Sequence, residues 1–501
     1  MLGGNLILFG VLASWLTPIW LICVGSTLGL LVLVLAYGLL RLISPGRAAV
    51  VPVTIKEGLL LPLFYLTLLM AGIAVVGTMV VPYRALLGAV SRVGAVGAAE
   101  RDFEIPKTTK SFAVPLFFRP SELQAFEISS DQPIVVTTRL SRSAGPDGSI
   151  KLPPGQTFRW TKPSILDKSF PPDLTEWTAS NLGPTPAKLT VRSLTDIEFP
   201  EVRVVLYTAI GLLGVVGAYL AIRFLAPKVA AIALATSKEV VSQPVFYLLL
   251  AVGLFALLVF IYVPYNTFGE DVKMLKDSGL TLIMVLSIFV AVWSASVSVA
   301  DEIEGRTALT LLSKPIHRWQ FIVGKFVGIL GPVVLMFIVL GLWFLVTVSY
   351  KVVYDARETA QAAPTWQACY VEMIRTVPGL VLAFLETVTL TAISVAISTR
   401  LPMLANLIVC ASIYVLGHLV PMIVNSSLGK LDSSIGNIVV FFGQFIATVL
   451  PVLDHFNIQA AVAAGKSVPT DYLLWALLYC CLYSSIAMLL ALLMFEDRDL
   501  A

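Results

Sequence analysis

Between two long apolar stretches lies a polar island, ADEIEGRTALTLLSKPIHRWQFIVGKFVG, running from Ala300 to Gly328. Asp301, Glu302, Glu304 and Arg306 place four charges within six positions, where an apolar helix would leave a bilayer. Gly305 interrupts the chain, and Thr307 can cap a short helix. Ala308, Leu309, Leu311 and Leu312 give that helix one apolar side, while Ser313, Lys314 and Pro315 end it. His317, Arg318, Trp319 and Lys325 follow where the chain re-enters the membrane, the usual place for amphipathic anchors. The chemistry on offer is docking rather than catalysis: a short amphipathic helix laid across the membrane face. By physics alone the same residues also make an ordinary solvated loop.

Other polar groups suit chemistry less well. Glu386 lies within an apolar run, and an ionised carboxylate facing lipid would cost roughly 3 kcal/mol or more. It must face the bundle interior, lie near an end or carry a proton, and it is a candidate pathway residue. His418 is a second pathway candidate, although a hydrogen-bonded packing role explains it as well. Asp454 and His455 are neighbours in sequence, which is not a catalytic geometry. Three histidines and five scattered cysteines offer no metal spacing. No Gly-x-x-x-x-Gly-Lys-Ser/Thr loop occurs, so the chain has no usual cradle for nucleotide phosphates. No cofactor is expected on it, and any use of ATP belongs to another subunit.

The island also carries an ordered pattern: Glu302, Glu304, Gly305, Thr307, Leu311, Leu312, Ser313, Lys314, Pro315, Arg318, Phe321, Gly324, Lys325, Phe326 and Gly328. This resembles the loop after the second core helix of type-2 ABC transporter (ABC-2) permeases, and the resemblance extends over residues 229 to 498. It implies a coupling helix that docks into a cytoplasmic ABC ATPase, with ATP and magnesium held by that partner. It further implies a homodimer or a heterodimer with a similar permease, six core spans after an elbow helix, and export.

The elements that position this loop follow from composition. Of 501 residues, 57% are hydrophobic and 13% charged, which describes an integral membrane protein in contact with a lipid bilayer. A net charge of +3 gives no case for nucleic acid. The run from Asn5 to Leu42 is about twice the length one crossing needs, so a hairpin turning near Cys23 to Ser26 is expected. A cleaved signal peptide is disfavoured, because MLGGN carries no basic residue. Arg41, Arg47 and Lys56 then place a loop in the cytoplasm. A third span runs from Gly58 to Val81.

Residues 1–82 are thus expected to hold three spans, and residues 83–202 an extracytoplasmic β-rich domain. SFAVPLFF, PIVVTTRLS and AKLTVRSLT read as its strands, and SAGPDG and KLPPG as its turns. Residues 203–228 hold the fourth span. Residues 229–498 form the core, with an elbow segment, six spans, the coupling loop at 300–319 and an outer re-entrant region at 424–471. The expected fold is a polytopic α-helical membrane protein of about ten transmembrane helices with an inserted extracytoplasmic β-sandwich-like domain. It would sit in the cell membrane with both termini in the cytoplasm. The expected function is the permease subunit of an ATP-driven exporter, not itself an enzyme. An ion-coupled secondary transporter using Glu386, or a scaffold presenting the β domain, are the alternatives; the substrate is not legible.

Overall fold

The structure, a computed structural model, describes residues 2–58, 60–119, 122–140, 148–161, 174–181, 183–263, 270–300, 302, 316–427, 441, 445 and 450–496. The chain forms two compact units, Met1–Val81 with Tyr207–Ala501, and Pro82–Leu206.

The first unit is helical. Its elements are α1 (Leu2–Ile43), α2 (Pro45–Ala48), α3 (Val50–Glu57) and α4 (Leu60–Gly77), then α6 (Arg203–Leu225), α7 (Pro227–Ser242), α8 (Pro244–Tyr262) and α9 (Asp271–Ala295). They continue as α10 (Arg318–Glu358), α11 (Trp366–Ser398), α12 (Met403–Ser427), α13 (Gln459–Ala463) and α14 (Thr470–Glu496). Among the described residues, eight helices are long and apolar enough to cross a membrane; α12 adds a shorter apolar segment, Met403–Leu419.

The expected hairpin over residues 5–42 is replaced by one continuous helix, α1, with Pro18 inside it. Apolar length alone suggested two helices, but Cys23 to Ser26 offers no strong turn chemistry. The Thr27 hydroxyl donates to the Cys23 carbonyl at 2.7 Å, and Trp20, Leu21 and Cys23 are buried against neighbouring helices. The Trp20 indole donates to the Ala74 carbonyl at 2.7 Å, and a Cβ at Gly77 would come within 2.5 Å of the Trp20 ring. A glycine therefore lets α1 and α4 touch.

The centre of the unit is α9, α10 and α11, joined by close approaches at small residues. A Cβ at Gly279 would lie 2.2 Å from Phe344, and one at Gly379 2.7 Å from Leu280. Each observed helix outruns its apolar stretch: α9 begins at Asp271 and α10 reaches Glu358, so their ends are polar and charged.

The second unit is a β-sandwich preceded by α5 (Tyr83–Arg92). One antiparallel sheet has the order β1-β8-β3-β6, from strands Ala98–Ile105, Ala187–Thr195, Leu123–Ser130 and Thr157–Thr161. The other has the order β2-β7-β4-β5, from Thr109–Val114, Leu174–Asn181, Ile134–Leu140 and Gly148–Leu152. Alternation along β8 explains the layering, since Ala187, Leu189 and Val191 point inward while Lys188 and Arg192 point out. Phe126, Ile128, Val136, Trp177 and Ala179 complete the core from both sheets. On the outer face, Glu100, Arg192, Glu127 and Arg159 oppose one another in register across four strands, an alternating ladder of charge. Glu122, just before β3, is nearly buried and receives a bidentate bond from Arg92 at 2.6 and 3.0 Å, fastening α5 to the residue that leads into that strand.

Asp102 is held below the ordinary carboxylate range, first by its hydrogen bond from Lys188 and then by that from Thr190. A depressed carboxyl adds stability above its unfolded pKa and loses it as pH falls through the lowered value. This exposed contribution is small and present at neutral pH. The interior matters more. Phe126→Ala is expected to destabilise the sandwich by about 3–5 kcal/mol. Limited proteolysis of the membrane-embedded full chain, scored for cleavage within residues 98–195, would detect it.

Candidate functional site

Every helix end flanking the predicted docking loop is tied to a neighbour. Of the residues assigned to the docking loop, Glu302 and Arg318 fall among those described. Asp301, Glu304, Gly305, Arg306, Thr307, Ala308, Leu311, Leu312, Ser313, Lys314 and Pro315 lie outside them. The site is therefore defined by its frame.

On one side of the loop, α9 ends in a π-turn at Ser296–Ala300. Ser294 and Ser296 send their hydroxyls back to the carbonyls of Val290 and Val292, at 2.6 and 2.9 Å, which competes with regular helical bonding in the last turn. Asn406, fully buried near the start of α12, brings its amide nitrogen within 2.8–2.9 Å of the hydroxyls of Ser296, Ser394 and Ser398. An amide nitrogen has two hydrogens, so two of these three contacts are donated bonds at any moment. The amide oxygen accepts from the Cys410 thiol at 3.3 Å. One asparagine thus joins the ends of α9, α11 and α12.

On the other side, α10 begins at Arg318, after the His317 backbone N–H has bonded to the Gln320 side chain at 3.1 Å. Arg318 donates to the Glu496 carbonyl at 2.8 Å, and Phe321 stacks on Phe495 with ring centroids 5.6 Å apart. Both contacts fasten α10 to the end of α14. Lys325, almost fully buried, lies 2.6 Å from the Glu302 carboxylate and above the Phe321 ring. That bond spans the loop at its base.

Helix α7 is wedged against the same part of α10. A Cβ on Gly324 would come 2.8 Å from that of Ile232, and one on Gly328 would come 2.7 Å from Thr236. Ser237 seals the contact by donating to the Gly328 carbonyl at 2.6 Å. The two glycines of the sequence pattern therefore serve helix packing, and Lys325 between them serves charge pairing.

Glu386 and His418, chosen separately from sequence, face each other across α11 and α12, with the histidine Nε2 3.5 Å from the Glu386 Oε1. Glu386 is fully buried. The His418 Nδ1 is 3.0 Å from the Tyr414 carbonyl, which can only accept, so Nδ1 carries the hydrogen. Nε2 is left facing the acid, and at 3.5 Å the Glu386 Oε1 is buried without a hydrogen-bond partner among the described residues. By contrast, Asp454 and His455 form no acid–base pair that the contacts support: His455 packs edge-on against Tyr479. Residues 424–427 end α12, and 451–463 form a short turn and α13. Most of the expected re-entrant region between them lies outside the described residues.

A second charged cluster lies at the opposite end of the bundle, at positions that the sequence analysis did not single out. Lys276 is fully buried and bonded to Glu372, which also meets Arg375 at 3.5 Å. Lys351 is equally buried, 3.0 Å from Asp355, 3.7 Å from Asp271 and 3.0 Å from the Ile261 carbonyl. Asp271, Asp355 and Glu358 present oxygens within 4.8 Å of one another, and Lys351 supplies the counter-charge to the first two. The Lys351/Asp355 spacing of four was the available signal for burial in pairs.

Together, membrane-length helices, an inserted sandwich and braced helix ends on both sides of a polar segment describe a polytopic membrane protein. A family profile described as ABC-2 family transporter protein matches residues 202–500, more than half the chain. The chain belongs to the ABC-2 transporter family. Membership makes it a multi-pass permease component of an ABC transporter, working with an ABC ATPase. Comparison with curated proteins gave no match.

The Glu302–Lys325 bond gives a direct test of the frame. Glu302→Gln leaves a buried ammonium without its charge partner and is expected to lower stability by about 2 kcal/mol. That is less than the roughly 3–5 kcal/mol of a fully buried pair, because Glu302 is partly exposed. Adding Lys325→Met should restore most of the loss in detergent-solubilised thermal unfolding.

Proposed function

We propose that residues 300–319 are the coupling element through which a separate ATPase drives this permease. The observation that carries this reading is the bracing of both flanks of the loop, by Asn406 on one side and by Lys325, Arg318 and α7 on the other. A loop held at both ends passes a push from outside the membrane to α9 and α10 with little loss. The residues assigned to docking are Ala308, Leu311, Leu312, Ser313, Lys314 and Pro315. Asp301, Glu302, Glu304, Gly305, Arg306, Thr307 and Arg318 bias the ends of the loop. ATP and magnesium would be held by the ATPase, whose closure shifts the permease between two access states.

The same reading gives an orientation. With the loop in the cytoplasm, α10 leads outward and α11 leads back. The end of α1 with Arg41 and the helix α3 with Lys56 lie on the cytoplasmic side, and the β-sandwich is extracytoplasmic. A single helix α1 in place of two then sets its beginning on the outer side, while the end of α14 stays inside. The working unit is a homodimer or a heterodimer with a similar permease, and the direction is export.

The Glu386–His418 pair favours a second reading, in which proton binding accompanies or drives transport. In ATP-depleted vesicles, Glu386→Gln separates the two readings. An ATP-driven permease shows no transport in either form, whereas a proton-coupled carrier shows transport that the substitution abolishes.

Docking is tested by purifying the tagged chain in mild detergent and identifying what accompanies it, beside Glu304→Ala and Leu311→Asp. An ABC ATPase that copurifies with the wild type and falls at least about tenfold with Leu311→Asp is the expected result, since a carboxylate in an apolar contact must be desolvated. Copurification unchanged in both variants would place the docking surface elsewhere.

A further inference from the structure

The face of the helical unit built by α4, α6, α7 and α10 forms a half-open cavity of about 610 Å3, within the usual range for ligand sites. Helix α6 meets α1 near Gly29, where Ala209 and Leu212 press against it. Its later turns, through Val215, Tyr219 and Ile222, instead line the cavity. The opposite wall is Val327, Leu330 and Val334 of α10. The lining is apolar apart from Tyr219, Ser237 and the guanidinium of Arg223, and no carboxylate lines it. From Tyr207 to Ser237 the chain contains no acidic residue at all.

These features select an occupant. An apolar cavity does not hold water well, and in helices that cross a membrane the material available to fill it is hydrocarbon. Arg223 lies in the last turn of α6, just before Pro227 opens α7, so its charge marks the corner where the chain leaves its apolar run. A guanidinium there matches a phosphate with two parallel hydrogen bonds, and basic pockets between membrane helices suit anionic headgroups. Ser237, on the cavity wall, is the residue that bonds α7 to Gly328 of α10.

We propose that this cavity is a binding site for an anionic phospholipid of the surrounding bilayer, with an acyl chain between α6 and α10 and the phosphate on Arg223. The lipid fills the space behind the contact between α7 and α10 and completes the wedge that braces the loop. The inference goes beyond the coupling reading and does not depend on it, because it is read on the purified permease with no ATPase present.

The test is native mass spectrometry of the full chain released from nanodiscs of phosphatidylcholine containing a minor fraction of phosphatidylglycerol. Wild type should retain phosphatidylglycerol in preference to phosphatidylcholine. Arg223→Gln should lower that retention about tenfold, the worth of one charge-assisted contact, and Arg223→Lys should recover most of it. Ala218→Phe, which fills the cavity and leaves the arginine in place, should lower retention as well; unchanged melting temperatures show that the variants are folded. Retention of both lipids in bulk proportion by the wild type, or equal phosphatidylglycerol retention by wild type and Arg223→Gln, would overturn the proposal.

Discussion

A lysine carried into an apolar bundle must bring its counter-charge, because an ammonium left alone in a low-dielectric interior is far more costly than any packing gain can offset. Lys276, Lys325 and Lys351 all meet this condition, each through a carboxylate on another helix or on the adjoining loop. Most of what distinguishes the two ends of the helical unit follows from these pairs. At one end Lys325 and Glu302 close the base of the loop. At the other, Lys276 and Lys351 bind α9 to α11 and α10, with the Ile261 carbonyl of α8 drawn in. Between the two charged ends the contacts are apolar and close, set by Gly253, Gly279 and Gly379.

That division suits the coupling role proposed for the loop. Hydrocarbon contacts between helices are non-directional and tolerate sliding, whereas charge pairs and amide clusters fix position. The Asn406 cluster is the strongest case of fixing, since three helices meet on one buried amide. A π-turn precedes the loop and two close-packed glycines follow it, so the irregular backbone and the closest helix packing both lie beside the loop. The β-sandwich is organised separately. Its stability lies in Phe126, Trp177 and their neighbours, and its charged ladder is solvated.

Much of the architecture was readable before any coordinates. Apolar runs of membrane length, one long stretch of β-formers broken by SAGPDG and KLPPG, and a charged island with an ordered motif identify the helices, the inserted sandwich and the loop. Gly324 and Gly328 were visible as part of a pattern, although their purpose as the seat of α7 was not. The reading failed where continuity was at stake. A 38-residue apolar run reads as two helices by length, yet α1 is unbroken, because no Gly-Pro or polar turn interrupts it and Trp20 anchors its middle to α4.

Composition and periodicity alone determined that this is a polytopic membrane protein with one inserted β domain, because burial in lipid is a local property that each segment declares through its own side chains. Only the tertiary structure decided which charges are partners. Glu302 finds Lys325 23 positions away, Lys276 finds Glu372 96 positions away, and Glu386 finds His418 on the next helix. Ion pairing depends on distances of a few ångströms between side chains, and those are set by how helices rotate and cross rather than by their order in the chain.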